Sequence, residues 1–195
     1  MKTRTIINIL LIAACTNAAY ATDFVTFKRH SLSDIELTRT SDTITYDPLS
    51  PQLADDMGIV MGTSHHEPMM RAHKEYVYRK DSIGAWDYAT SKANLDRFFE
   101  EGLERNKAYD NLITIGMRGD GDVAMGNGND EDNMKTLKDV VDGQREIIER
   151  VYKKPASEVP QLWAIFTEVQ RYYDAGFTVP DDVTLLFCDN NWDLL

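Results

Sequence analysis

With 195 residues, 43% of them apolar and 27% charged, the chain is long enough for one domain with a full core. Its net charge of -11 excludes the basic surface that nucleic acid or an anionic membrane requires. A small anionic ligand held by a few local cations remains compatible with it.

The first stretch, MKTRTIINILLIAACTNAAYATDF, has the layout of a secretory signal. Lys2 and Arg4 precede an apolar run from Ile6 to Ala14, and Ala19-Tyr20-Ala21 supplies a small-x-small cleavage pattern. The run is too short to cross a bilayer, which takes ~20 residues. Removal of residues 1–21 would carry off both cations and take the net charge to -13. A second reading competes: Ile12-Ala13-Ala14-Cys15 resembles a lipoprotein box, with Cys15 as the lipidated first residue. Both place the mature chain outside the cytoplasm, secreted, periplasmic or anchored. Cys15 and Cys188 are the only cysteines, so cleavage after Ala21 leaves Cys188 without an internal partner.

Residues 22–52 form an unassigned segment. Short alternating stretches such as Thr43-Ile44-Thr45-Tyr46 predict weak strands or loops there. From 53 to 195 the pattern is that of one domain. Three apolar runs, Gly58–Met61, Leu112–Met117 and Val183–Cys188, end in polar clusters. The last two do not alternate, as expected of strands buried on both faces. Helical faces lie between them. Tyr88, Leu95, Phe98, Phe99 and Leu103 make one, and Met134, Leu137, Val141, Ile148 and Val151 a second. Leu162, Trp163, Phe166, Val169 and Tyr173 are read as a third. Strands alternating with helices predict an α/β fold, with the three runs as parallel neighbours in one sheet and the helices outside.

Reactive groups in parallel α/β folds gather at strand C-terminal ends. Here those ends read Ser64-His65-His66-Glu67, Arg118-Gly119-Asp120-Gly121-Asp122 and Asp189-Asn190-Asn191-Trp192. The zinc-protease motif fails in the first, because Met70 stands where the second His belongs. What remains is metal ligation outside that motif, a pair of capping or surface histidines, or imidazoles that hydrogen-bond sugar hydroxyls with Glu67 as acid or base. In the second cluster Arg118 suits either a carboxylate ligand or a salt bridge to a neighbouring Asp. A calcium loop fails there, with Ala124 and Met125 at ligand and glycine positions. No Lys-Ser or Lys-Thr follows the glycines, so a phosphate loop fails too. No metal and no cofactor is assigned. Asp181 and Asp182, after Pro180, read as turn residues. Trp192 suits stacking on a sugar face or a place in the core.

These segments resemble glycoside hydrolase family 115, the xylan α-glucuronidases. The resemblance is carried by LADDMGIVMGTSHHEPMMRAHKE, GAWDYATSKANL, TIGMRGDGD, GQREIIERVY and PQLWAIFTEVQRYYDAGFTVPDDVTLLFCDNNW, in matching order. It implies a secreted enzyme that hydrolyses α-1,2-linked (4-O-methyl)glucuronic acid from glucuronoxylan or its oligosaccharides. It also implies a (β/α)₈ TIM-barrel-like domain and an inverting mechanism, in which two carboxyls stand ~6.5–9.5 Å apart. The carry-over places acid and base among Glu67, Asp120 and Asp189. His65, His66, Arg118, Asp122, Asn191 and Trp192 become substrate contacts. A full barrel needs ~250 residues, and this chain offers about three βα units. It is therefore expected to be a partial, truncated barrel with little turnover of its own. A non-catalytic, sugar-binding remnant is the alternative. Asn190, where the family pattern leads one to expect an acid, departs from it.

Overall fold

Four strands form one parallel sheet in the order β1-β2-β3-β4. They are β1 (Met61–Gly62), β2 (Asn111–Thr114), β3 (Gln161–Ile165) and β4 (Thr184–Phe187). The computed structural model describes residues 50–126 and 128–187. Around the sheet lie α1 (Ser50–Asp56), α2 (His73–Ile83), α3 (Tyr88–Asn106), α4 (Asp130–Tyr152) and α5 (Glu168–Asp174). Each passage between neighbouring strands runs through helix, as parallel pairing requires. The architecture is α/β, consistent with part of a (β/α)₈ barrel.

Four sequence expectations need correction. Leu162 and Trp163 belong to β3, not to a helix, and β3 separates β2 from β4. The three predicted runs therefore share a sheet, but the second and third are not neighbours. Leu162, Trp163, Phe166 and Val169 satisfy a helical period by chance, across a strand, a turn and a helix. Pro160, which opens a short apolar run, was the signal for the strand. The first run is also shorter than expected. Only Met61 and Gly62 pair, while Met57, Ile59 and Val60 are exposed. Residues 50–52, assigned to a loop-like segment, open α1. The predicted signal segment, 1–21, and residues 22–49 lie outside the described residues.

The core is built as the helical faces predicted. Leu95, Phe98, Phe99 and Leu103 of α3 and Leu137, Val141, Ile148 and Val151 of α4 are buried with Ile113, Ile115 and Trp163. Helix starts are fixed by short acceptors. Asp87 accepts from the Ala89 N–H, and Asn129 from the Asp132 N–H. Asp130, Glu131 and Asp132 complement the positive end of α4. The α2 start is held by Glu75, which accepts from the Ala72 N–H, and by Glu67, which accepts from the His73 N–H at 3.2 Å.

Buried polar pairs set the strand ends. Gln144, fully buried on α4, accepts from the Gly116 N–H at 2.7 Å and donates to its C=O at 3.0 Å. Gly116 has φ +89°, and a Cβ there would meet the Trp163 indole at 2.8 Å. That turn aims the next residues, Met117 and Arg118, out of the sheet.

Candidate active site

Three loops meet at the C-terminal ends of β1, β2 and β3. The first carries His65, His66 and Glu67, the second Arg118, Asp120 and Asp122, and the third Phe166, Thr167 and Glu168. Thr114 Oγ1 donates to the Thr63 carbonyl at 2.5 Å and ties the first loop to β2. The second loop folds on itself: the Gly119 N–H donates to Val123 O at 2.8 Å. Gly121 (φ +77°) and Asp122 (φ +62°) turn it.

Arg118 is the hub. Its Nε and Nη2 each donate to Glu168, to Oε1 and Oε2, at 2.9 Å. Nη2 also reaches Thr167 Oγ1 at 3.2 Å. Nη1 donates to Asp122 O at 2.8 Å and to Asp122 Oδ1. These contacts engage all three guanidinium nitrogens and account for its five N–H donors. In this arrangement Arg118 holds two carboxylates in place, and it has no donor left for a ligand. The two carboxylates hold the Arg118 pKa above its ordinary value, outweighing the burial that lowers it. For Glu168, burial pushes the pKa up, but hydrogen bonds from Arg118 and Thr167 prevail and keep it below the usual carboxylate range. Glu168 is thus a buried, ionised partner, 4% exposed.

The backbone here is strained. Thr167 has φ +49° and ψ -114°, an outlying combination for a β-branched residue. Its hydroxyl is used by both Arg118 and Glu168. Strain of this kind persists where the surroundings over-determine the geometry, as at functional sites.

Asp122 faces the histidines. Its Oδ1 lies 3.3 Å from His65 Nε2 and 3.8 Å from His66 Nδ1. The His65 approach is close but badly angled, so buried Nε2 has no hydrogen-bond partner among the described residues. Burial, with His66 and Arg118 adding to it and Asp122 opposing, lowers the His65 pKa and favours the neutral ring. The His65 and Phe166 rings sit 5.5 Å apart, and the Arg118 guanidinium lies 5.8 Å from the Phe166 ring. Beneath them is a cavity of about 10 Å³, room for one water at most. A sugar ring would have to approach from the open side.

Asp120 goes elsewhere. Its carboxylate meets Lys80 Nζ at 2.9 Å and His73 Nε2 at 3.4 Å, both on α2. Glu67 meets the backbone of the same His73, so Glu67 and Asp120 gather at one end of the sheet. Asp189, Asn191 and Trp192 lie outside the described residues. Sequence reasoning missed Glu168 and Thr167, because it placed them inside a helix. The charged Glu168 within an otherwise apolar stretch was the available signal.

Comparison with known proteins agrees with this fold. A solved structure described as a novel family GH115 4-O-methyl-α-glucuronidase, BtGH115A, with specificity for decorated arabinogalactans, superposes with a TM-score of 0.68 at 36% identity. The match covers 72% of this chain and 19% of that one, so the chain spans about a fifth of its length. No curated protein matches the chain. The family model for glycosyl hydrolase family 115 matches residues 17–195, and the chain belongs to that family.

Proposed function

We propose that this chain carries part of an α-glucuronidase site that acts on (4-O-methyl)glucuronic acid side chains of a decorated polysaccharide. Family membership supports the reaction class, and the resemblance to xylan α-glucuronidases points to α-1,2-linked side chains of glucuronoxylan. The single observation that carries the reading is the Asp122–Arg118–Glu168 array, which joins the loops after β2 and β3.

Asp122 is the better-placed carboxyl for proton transfer. It is 42% exposed, and Oδ2 makes no hydrogen bond among the described residues. Protonated, it could give its proton to the glycosidic oxygen as the bond to the anomeric carbon breaks. Ionised, it could take one from the attacking water. In an inverting reaction those two roles fall to different carboxyls. Glu67, Asp120 and Asp189 supply the partner. Neutral His65, with His66, offers donors and acceptors to sugar hydroxyls. Arg118 keeps Asp122 in register without touching the ligand.

A second reading is a sugar-binding unit without turnover. The exposed apolar residues Phe187 on β4, and Ile59 and Val60 beside β1, favour it. Incubating the full chain with a 4-O-methylglucuronoxylo-oligosaccharide separates the readings. Release on the scale of ~1 s⁻¹, within the common enzyme range, that is lost in Asp122→Asn makes it an enzyme by itself. Binding without release supports the second reading, and neither binding nor release overturns both. The proposed compartment is extracytoplasmic, by way of residues 1–21. No helix among the described residues is long and apolar enough to cross a membrane.

A further inference from the structure

We propose that His65, His66 and Asp122 form a binding site for a divalent cation of the zinc type. The ligand atoms of these three side chains lie within 4.8 Å of one another. His65 Nε2 and Asp122 Oδ1 are 3.3 Å apart. Donors bonded at ~2.0–2.2 Å to one tetrahedral ion stand about 3.3–3.6 Å from each other, so this pair already spans one edge of a coordination tetrahedron. His66 Nδ1, at 3.8 Å from the same oxygen, needs only a small ring movement to complete a face.

His65 Nε2 gives the site its sharpest feature. It is buried without a hydrogen-bond partner among the described residues, yet it lies against a carboxylate. Leaving such an atom unpaired costs free energy, and a metal bond would satisfy it. Two consecutive histidines rarely point the same way in regular structure. Here the loop after β1 brings their rings to 5.0 Å, edge to face, on the side of Asp122.

Charge also favours a cation. Arg118 shares Asp122 Oδ1, which opposes it, but Glu168 grips the same guanidinium from the other side. Two carboxylates thus face one guanidinium, and the immediate site is anionic. Ser64 Oγ, 3.2 Å from His66 Nδ1, would have to release that nitrogen. Two imidazoles and one carboxylate suit Zn²⁺, Co²⁺ or Ni²⁺ and not the all-oxygen shells of Ca²⁺ or Mg²⁺. The side chains of His66 and Asp122 are 39% and 42% exposed, so an ion has an entry path and water can take the remaining position. An ion here would occupy the carboxylate assigned to proton transfer, and so would compete with the sugar. The binding claim itself does not depend on the proposed activity.

The test is titration of the full chain with Co²⁺ and with Zn²⁺, read by cobalt ligand-field absorption and by calorimetry. One equivalent is expected, with a tetrahedral cobalt spectrum free of sulfur charge-transfer bands. His65→Ala, His66→Ala and Asp122→Asn should each weaken binding more than about tenfold, since even outer-shell partners act on that scale. Circular dichroism of each variant confirms that the fold is kept, and His66→Ala, on an open loop, is the variant least able to disturb it. His73→Ala, which removes the other histidine paired with an aspartate, should leave affinity unchanged. The proposal is overturned by the absence of one-to-one binding, by a cobalt–sulfur band, by full affinity in His66→Ala and Asp122→Asn, or by loss of binding in His73→Ala.

Discussion

Arg118 and Glu168 form a two-pronged ion pair at 2.9 Å on each prong, with the residues 8% and 4% exposed. A buried pair of this kind is weak evidence of net stabilisation, but breaking it from one side strands a charge. Arg118→Met leaves both Glu168 and Asp122 without their partner and should cost about 3–5 kcal/mol. Glu168→Gln keeps a hydrogen-bond acceptor and leaves Arg118 paired with Asp122, so it should cost less. Urea denaturation of the two variants checks the order.

Acid should unfold the protein partly through one half-buried carboxylate, Glu75, and one buried one, Glu168. Burial pushes Glu75 up, but Arg105, the Ala72 N–H and Arg71 together hold it below the usual range. Glu168 is lowered in the same way by Arg118 and Thr167. A carboxyl with a depressed folded pKa contributes stability that is complete above its unfolded value, near ~4.3 for Glu. That contribution is lost as pH falls through the folded value. Stability measured against pH should therefore drop on the acid side, and the drop should be shallower in Glu75→Gln and Glu168→Gln than in the parent chain. An equal slope in all three would contradict these assignments.

Gly102 is where α3 touches the segment leading into α2. A Cβ there would meet Met69 O at 2.6 Å and Arg71 Cδ at 3.0 Å. Met69 is fully buried and held at φ +58°, so its carbonyl cannot readily step aside. Alanine favours a helix interior by about 1 kcal/mol over glycine, but the clash should win and leave Gly102→Ala destabilised by on the order of 1–3 kcal/mol. At Gly143 a Cβ would meet the Tyr88 hydroxyl at 2.1 Å, and that buried ring is held by Asp96 and Lys92. Thermal unfolding should accordingly show Gly143→Ala to be destabilising as well.

The N-terminal reading has a direct check. Mass spectrometry of the exported protein should give a chain that starts at Thr22, or at a lipidated Cys15. An intact Met1 recovered from outside the cytoplasm contradicts both.

Much of the fold was legible because its signals are local. The faces of α3 and α4 follow from apolar spacing, and β2 from a run that does not alternate. β3 was not legible in the same way. Residues 161–165 and 168–174 carry apolar side chains whose combined spacing imitates one helix, and periodicity alone cannot divide them. That error hid Glu168. The clusters themselves were visible, but their pairing was not. Asp120 and Asp122 are two residues apart and equal in chemistry. Only the turn through Gly121 sends one to Lys80 and His73, and the other to Arg118 and the histidines. Lys80 and His73 come from α2 and the histidine pair from the loop after β1, and no spacing along the chain records those meetings.

The central claim is that the face formed by residues 63–67, 118–123 and 166–168 recognises a uronic-acid side chain. Amide chemical-shift mapping tests it most directly, on the full chain without any substitution. The chain is titrated with a 4-O-methylglucuronoxylo-oligosaccharide and, in parallel, with the undecorated xylo-oligosaccharide of equal length. The account predicts saturable shifts at those three loops with the decorated sugar and none there with the undecorated one. Absence of shifts, equal shifts with both sugars, or shifts confined to another surface such as the outer face of α4 would contradict it.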